Sequence, residues 1–216
     1  MPERQEESLL STVVREKLPN AQLSDGVDLR TLASLLVVAL SGCQIVHFSE
    51  IPGERWSAER TNEMRGWWSS AQGDVYQAAT RFDGGLLIGT LSRRSEDKFE
   101  AMSNVGTFSS LGEHDFIFFE TKTRNRDEPT YGFLLVKNIS DDKLVLIPPN
   151  GPRFAEMIDK SQLAGKTVHY ENSTEYIALV TSKSDAFKEV LKSNKTEDLF
   201  DFNQKLELSR IKLPKK

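Results

Sequence analysis

VYQAATRFDGGLLIGTLS, residues 75–92, reads as two strands and the turn between them. Val75, Tyr76 and the alanines that follow form one apolar-leaning run, and Leu86, Leu87, Ile88 and Leu91 form the next. Asp83-Gly84-Gly85 supplies the reversal, because a glycine there takes the positive φ that a tight turn between right-twisted strands requires. Strands joined by so short a link pair antiparallel.

The same grammar extends on both sides of this hairpin. Short apolar runs separated by turn residues predict strands at 66–70, 75–82, 86–92, 99–107, 115–121, 130–137, 143–147, 167–170, 175–181 and 205–213. Gln72-Gly73-Asp74, Leu111-Gly112, Arg126-Asp127-Glu128-Pro129 and Ser140-Asp141-Asp142 carry the turn chemistry between them. Two segments switch to helical spacing. From Pro152, residues Phe154, Met157 and Ile158 share one stripe, with Gly165 beyond the end. From Ser184, read as an N-cap, Phe187, Val190 and Leu191 do the same. The expected fold is therefore mainly β: an antiparallel sheet curled into a barrel or half-barrel, with two short amphipathic helices, because so many strands must cover their edges.

Composition bounds what such a domain does. The chain has 216 residues, a formal net charge of −4 and 28% charged residues, which is ordinary for a folded protein and gives no basic field for nucleic acid. The locally basic end, KLELSRIKLPKK, reads as a solvated tail. A single cysteine rules out an intrachain disulfide and any four-ligand zinc site that needs two or more cysteines.

That cysteine, Cys43, closes the run ASLLVVALSGC at residues 33–43. The apolar part, about ten residues behind Arg30, is too short for the roughly 20 of a spanning helix and fits the about 7–15 of a secretory signal. Leu40-Ser41-Gly42-Cys43 resembles the bacterial lipobox. The resemblance implies cleavage before Cys43, thioether lipidation of its sulfur and a stable acyl anchor, since several chains at about 0.8 kcal/mol per buried methylene hold a domain where one chain does so only marginally. Gln44 after the cysteine, in place of Asp, resembles the pattern of outer-membrane lipoproteins and places the domain on the periplasmic face of that membrane. Residues 1–42 then read as a signal peptide in which 1–26 is either an unusual, over-long n-region or a stretch ahead of a true start at Val27, residues 43–65 as a lipidated tether ending in a short helical segment, and residues 66–213 as the β-rich globular domain. The competing reading is a soluble cytosolic protein in which 29–48 is a buried core segment and Cys43 a small apolar filler.

The 66–213 layout resembles that of uncharacterised bacterial lipoproteins, carried here by Gly66-Trp67, Asp83-Gly84, Tyr131-Gly132-Phe133 with Asp141-Asp142, Leu163-Ala164-Gly165 and Leu208-Ser209-Arg210. No activity comes with that layout. Gly66-Trp67-Trp68 also resembles the G-x-W of the first lipocalin strand, whose tryptophan stacks under an arginine from the far end of the chain. The resemblance implies a barrel closed by Trp68 and Arg210 around a small apolar ligand; the plain alternative is an ordinary strand with one tryptophan turned in and its neighbour out.

Catalytic signatures are sparse. The sequence has no G-x-S-x-G and no P-loop, and Gly84-Gly85-x-x-x-Gly89 belongs to the hairpin. His47, His114 and His169 are far apart, and Glu113-His114-Asp115 reads as a solvated turn rather than a metal cluster. The expectation is a lipid-anchored envelope protein that binds or supports rather than catalyses. It needs no cofactor or metal; its partners are the membrane through Cys43 and an envelope protein or a small apolar molecule.

Overall fold

The computed structural model describes residues 44–95, 98–121, 128–169 and 175–212. Its centre is a closed antiparallel barrel of eight strands. Seven follow one another as a meander: β3 (Gly66–Ser70), β4 (Val75–Thr80), β5 (Leu86–Ser95), β6 (Lys98–Leu111), β7 (His114–Thr121), β8 (Thr130–Ile139) and β9 (Lys143–Ile147). The eighth, β12 (Leu206–Ile211), pairs with β3 on one side and β9 on the other, and the β8–β9 pairing completes the ring. Closure leaves no exposed edge within the ring, which is the physical need the strand count pointed to. The 75–92 hairpin forms as read, with Gly84 at φ +82° in its turn.

Strand alternation divides the barrel wall into two cores. Ile117 and Phe119 on β7, with Leu134 and Val136 on β8, face the barrel interior together with Leu144, Leu146, Phe108 and Trp68. Their neighbours Phe116, Phe118, Phe133 and Leu135 face outward, yet are buried. What covers them is a second layer. Strand β1 (Gln44–Phe48) pairs antiparallel with β8 through His47 and Phe48, and in parallel with β11 (Tyr176–Val180), which pairs with β10 (Gly165–His169). Helices α2 (Gly151–Asp159), α3 (Ser184–Ser193) and α4 (Thr196–Leu199) contribute Phe154, Phe187 and Leu199 to the same core. Both faces of β7 and β8 are thus dry, which is why FIFF and GFLLV are continuous apolar runs rather than alternating ones. Phe48, Phe116, Phe118, Phe133, Phe154, Phe187 and Phe200 meet mostly edge-on or tilted, for example Phe48 to Phe133 at 5.1 Å and 79°.

Helix α2 begins at Asn150, whose Oδ1 accepts from Arg153 N at 3.3 Å, and Pro152 stands in its first turn. In α3 the expected cap is displaced: Lys183 occupies the cap position without a side-chain bond, and Ser184 Oγ instead accepts from Gly53 N at 3.0 Å.

The expected boundary at residue 66 also moves. Residues 44–65 are built into the domain rather than strung out as a tether: β1 buries Val46 and Phe48, β2 (Glu54–Arg55) pairs with β6, and α1 (Ala58–Asn62) follows. Of the segment 29–48, Val46, His47 and Phe48 are buried in the domain, while 29–43 and the expected start at Val27 lie outside the described residues. Tyr170 and Leu213, expected as strand ends, also lie outside them.

Candidate functional site

One end of the barrel is plugged, and the plug is assembled around two tryptophans. Gly66, at φ +130°, opens β3 in a conformation that side chains resist, and an added Cβ would stand 3.2 Å from Arg210 Nη1. The strand then turns Trp67 outward and Trp68 inward, where it is buried. Trp68 and Arg210, coupled in the lipocalin resemblance, are brought together by the β3–β12 pairing. The Arg210 guanidinium lies 4.3 Å from the Trp68 ring centroid, and Trp68 Nε1 donates to Met64 O at 3.0 Å. Arg210 Nη1 and Nη2 donate to Arg65 O at 2.7 Å and Glu63 O at 2.6 Å, so one fork satisfies carbonyls that the end of α1 leaves free.

A second clasp holds the start of the plug. Trp56 stacks on Phe108 at 4.3 Å and 12°, and the Arg60 guanidinium sits 3.8 Å above the Trp56 ring. Arg60 Nη2 pairs with Asp115 Oδ2 at 2.7 Å, while Trp56 Nε1 donates to Ser110 Oγ at 2.9 Å and Asp115 Oδ1 at 3.1 Å. Ser57 Oγ caps α1 by accepting from Arg60 N at 3.2 Å. None of this pairing was visible in sequence, where Glu54-Arg55-Trp56 read as charged tether; a lone tryptophan with an arginine four residues on was the available signal.

Between the plug and the far end lies a cavity of about 40 Å³, walled by Trp68, Tyr76, Leu86, Phe108, Phe119 and Leu208 among others, all apolar but for the tyrosine hydroxyl. Tyr76 is pushed up to about 12 by burial and, second, by the charge of Asp74. Asp74 is itself held in the β3–β4 turn, where Asp74 N donates to Ser70 Oγ at 3.1 Å and Ser70 Oγ reaches Asp74 Oδ2 at 3.4 Å. Thr90, also buried, stands directly across from Tyr76 and from Met102 in the sheet register. Its hydroxyl has no hydrogen-bond partner.

The histidines are scattered. His47 is buried with Nδ1 3.0 Å from Thr130 Oγ1, His114 leads β7 beside Phe116, and His169 lies beside Tyr176. Among the described residues no three His, Cys, Asp or Glu side chains converge as a metal ion would need, and no helix is long and apolar enough to cross a membrane. Leu40, Ser41, Gly42 and Cys43 lie outside the described residues.

Outside the barrel, β5 and β6 carry a row of exposed apolar side chains: Leu87 and Leu91 on β5 and Phe99 on β6, flanked by Trp67 on β3 and Phe82 at the β4–β5 turn. A sheet packed on one face ordinarily turns polar residues to water on the other.

Comparisons with protein-family models, with curated proteins and with solved structures found no match.

Proposed function

We propose that this chain is a lipocalin-like binding barrel, carried on the periplasmic face of a bacterial outer membrane by acyl chains on Cys43, and that it acts by binding a small apolar molecule rather than by catalysis. The binding reading rests above all on the barrel, closed to its neighbours, plugged at one end under Trp68 and Arg210, and hollow and apolar inside. At about 40 Å³ the hollow is well below the ~300–1,000 Å³ of a pocket that engulfs a drug-sized ligand, so a ligand enters only as the apolar side chains of the wall move apart. The anchor is supported by the sequence alone, through the short apolar run and Leu40-Ser41-Gly42-Cys43.

Two experiments test the two halves. Native mass spectrometry of full-length protein, with analysis of its organic extract, should find an apolar molecule bound one to one; protein that arrives empty and takes up no alkyl chain when offered one refutes the carrier. Metabolic palmitate labelling should mark the wild type in the membrane fraction and leave Cys43→Ser unlabelled, whereas an unlabelled, freely soluble wild type removes the anchor.

A second reading, an envelope protein that docks a partner, is favoured by the exposed row Leu87, Leu91 and Phe99. Leu87→Ser with Leu91→Ser would leave the interior untouched, and under this reading it releases the partner retained by wild type in a cross-linked envelope preparation.

A further inference from the structure

We propose that the outward face of β3, β4, β5 and β6 is where a second copy of this chain docks, face to face across a two-fold axis along β4, with Trp67 of each copy lying over Gly89 of the other. The pairing rests on the docking reading of the exposed outer row, names its partner, and is independent of what the barrel holds.

Gly89 points to a close neighbour. Glycine in the middle of a strand costs stability, and it recurs where a ligand or another chain approaches the backbone closely. Gly89 is central in β5, paired with Gln77 on one side and Ser103 on the other. It does not take a positive φ, and an added Cβ would meet nothing nearer than Gln77 O at 4.0 Å. Neither its own conformation nor crowding among the described residues therefore calls for glycine. Alternation turns the position outward with Leu87 and Leu91, which stand on either side of it and leave a notch between them.

The register makes this face complementary to itself. Trp67, Gln77, Gly89 and Ser103 lie in one row across four neighbouring strands. Strands are about 4.8 Å apart, so Trp67 and Gly89 stand equally far from Gln77, on opposite sides of it. A two-fold axis along β4 through that position brings each outward indole over the notch of the other copy. It also sets Gln77 against Gln77, whose amide supplies both donor and acceptor. Charge favours the same partner. At a net charge of −4 two copies repel one another, yet the outward positions within 67–69, 75–79, 87–91 and 101–105 carry no ionisable side chain. Area sets the strength. Trp67, Leu87, Leu91 and Phe99 are 37%, 45%, 45% and 63% exposed, which at ~200 Å² for a whole large side chain is roughly 400 Å². With the small residues between them the face approaches the lower limit for a specific pair, about 600 Å² on each partner, so the dimer is a weak one.

The test is sedimentation equilibrium of full-length protein carrying Cys43→Ser, which removes any acyl contribution and leaves the chain without a cysteine. A monomer–dimer equilibrium is expected, with a dissociation constant of roughly 10–100 µM. Gly89→Glu places a charge in the notch, and Gln77→Glu places two like charges at the axis; each should weaken the dimer at least about tenfold, and the second serves also if the first folds poorly. In the same background Gln77→Cys should yield a covalent dimer with a short bis-maleimide, while Lys192→Cys on α3 should not. A dimer indifferent to both glutamates, or the absence of the Gln77→Cys cross-link, overturns the proposal. So does a protein that stays monomeric at concentrations about tenfold above that range. In that case envelope cross-links abolished by Leu87→Ser with Leu91→Ser keep the docking reading with a different partner, flotation with anionic phospholipid vesicles assigns the row to a bilayer, and neither result ends both readings.

Discussion

At the scale of single residues, the barrel end is a small electrostatic device. Arg210→Ala removes a cation over an indole, worth about 0.5–2 kcal/mol, and uncaps the carbonyls of Glu63 and Arg65. Discounted for the partial exposure of that side chain, a loss of about 2 kcal/mol is expected in urea unfolding. Arg210→Lys should recover little of it, because a single ammonium cannot reach two carbonyls as a planar fork does. Gly66→Ala should cost about 1–3 kcal/mol through its φ of +130° and the approach to Arg210.

Tyr76 gives the interior a pH signature. Its ordinary value of 10.0 applies to the unfolded chain, and the folded value is raised to about 12. Below pH ~10 both states hold the proton, so the favourable burial is fully present; between about 10 and 12 the unfolded chain releases it first, and stability falls by about 2–3 kcal/mol. Tyr76→Phe should flatten that part of the alkaline unfolding profile and leave the curve near neutral pH in place.

At the scale of elements, what local pattern could encode was legible and what depended on distant pairing was not. Asp83-Gly84-Gly85 announces its hairpin because the turn residues sit between the strands they join. The helices at Phe154 and Phe187 show in a 3.6-residue stripe for the same reason. QIVHF is different. It is short, follows the residue read as a lipid site, and becomes a strand by pairing in parallel with residues 176–180, far along the chain. Nothing nearby states that partner. Likewise Ser184 looked like a helix cap in isolation, but the fold spends its oxygen on Gly53 N. Of the site, Trp68 and Arg210 could be coupled from sequence through the G-x-W resemblance, whereas Trp56 with Phe108 and Asp115, and Thr90 with Tyr76, needed the strand register to become neighbours.

The two-layer wall makes its own forecast. Phe133 lies between β8 and the helices, in ring contact with Phe48, Phe154 and Phe187. Phe133→Ala should cost about 3–5 kcal/mol in equilibrium unfolding, the value for emptying a well-packed aromatic site. Phe99→Ala, on the exposed outer row, should stay within about 0.5 kcal/mol of wild type.

At the scale of the whole molecule, the barrel carries two surfaces. The layer built on β1, β10 and β11 covers the outer faces of β7 and β8, and the exposed row lies on the next two strands of the ring, β6 and β5. Gln44, the residue after Cys43, is already the first residue of β1, paired with Tyr176. Consecutive Cα atoms are about 3.8 Å apart, so an acylated Cys43 would have no leash. With acyl chains at that position, the attachment point would be the end of a strand already paired with β11, not a tether, and the domain would be held close against the bilayer.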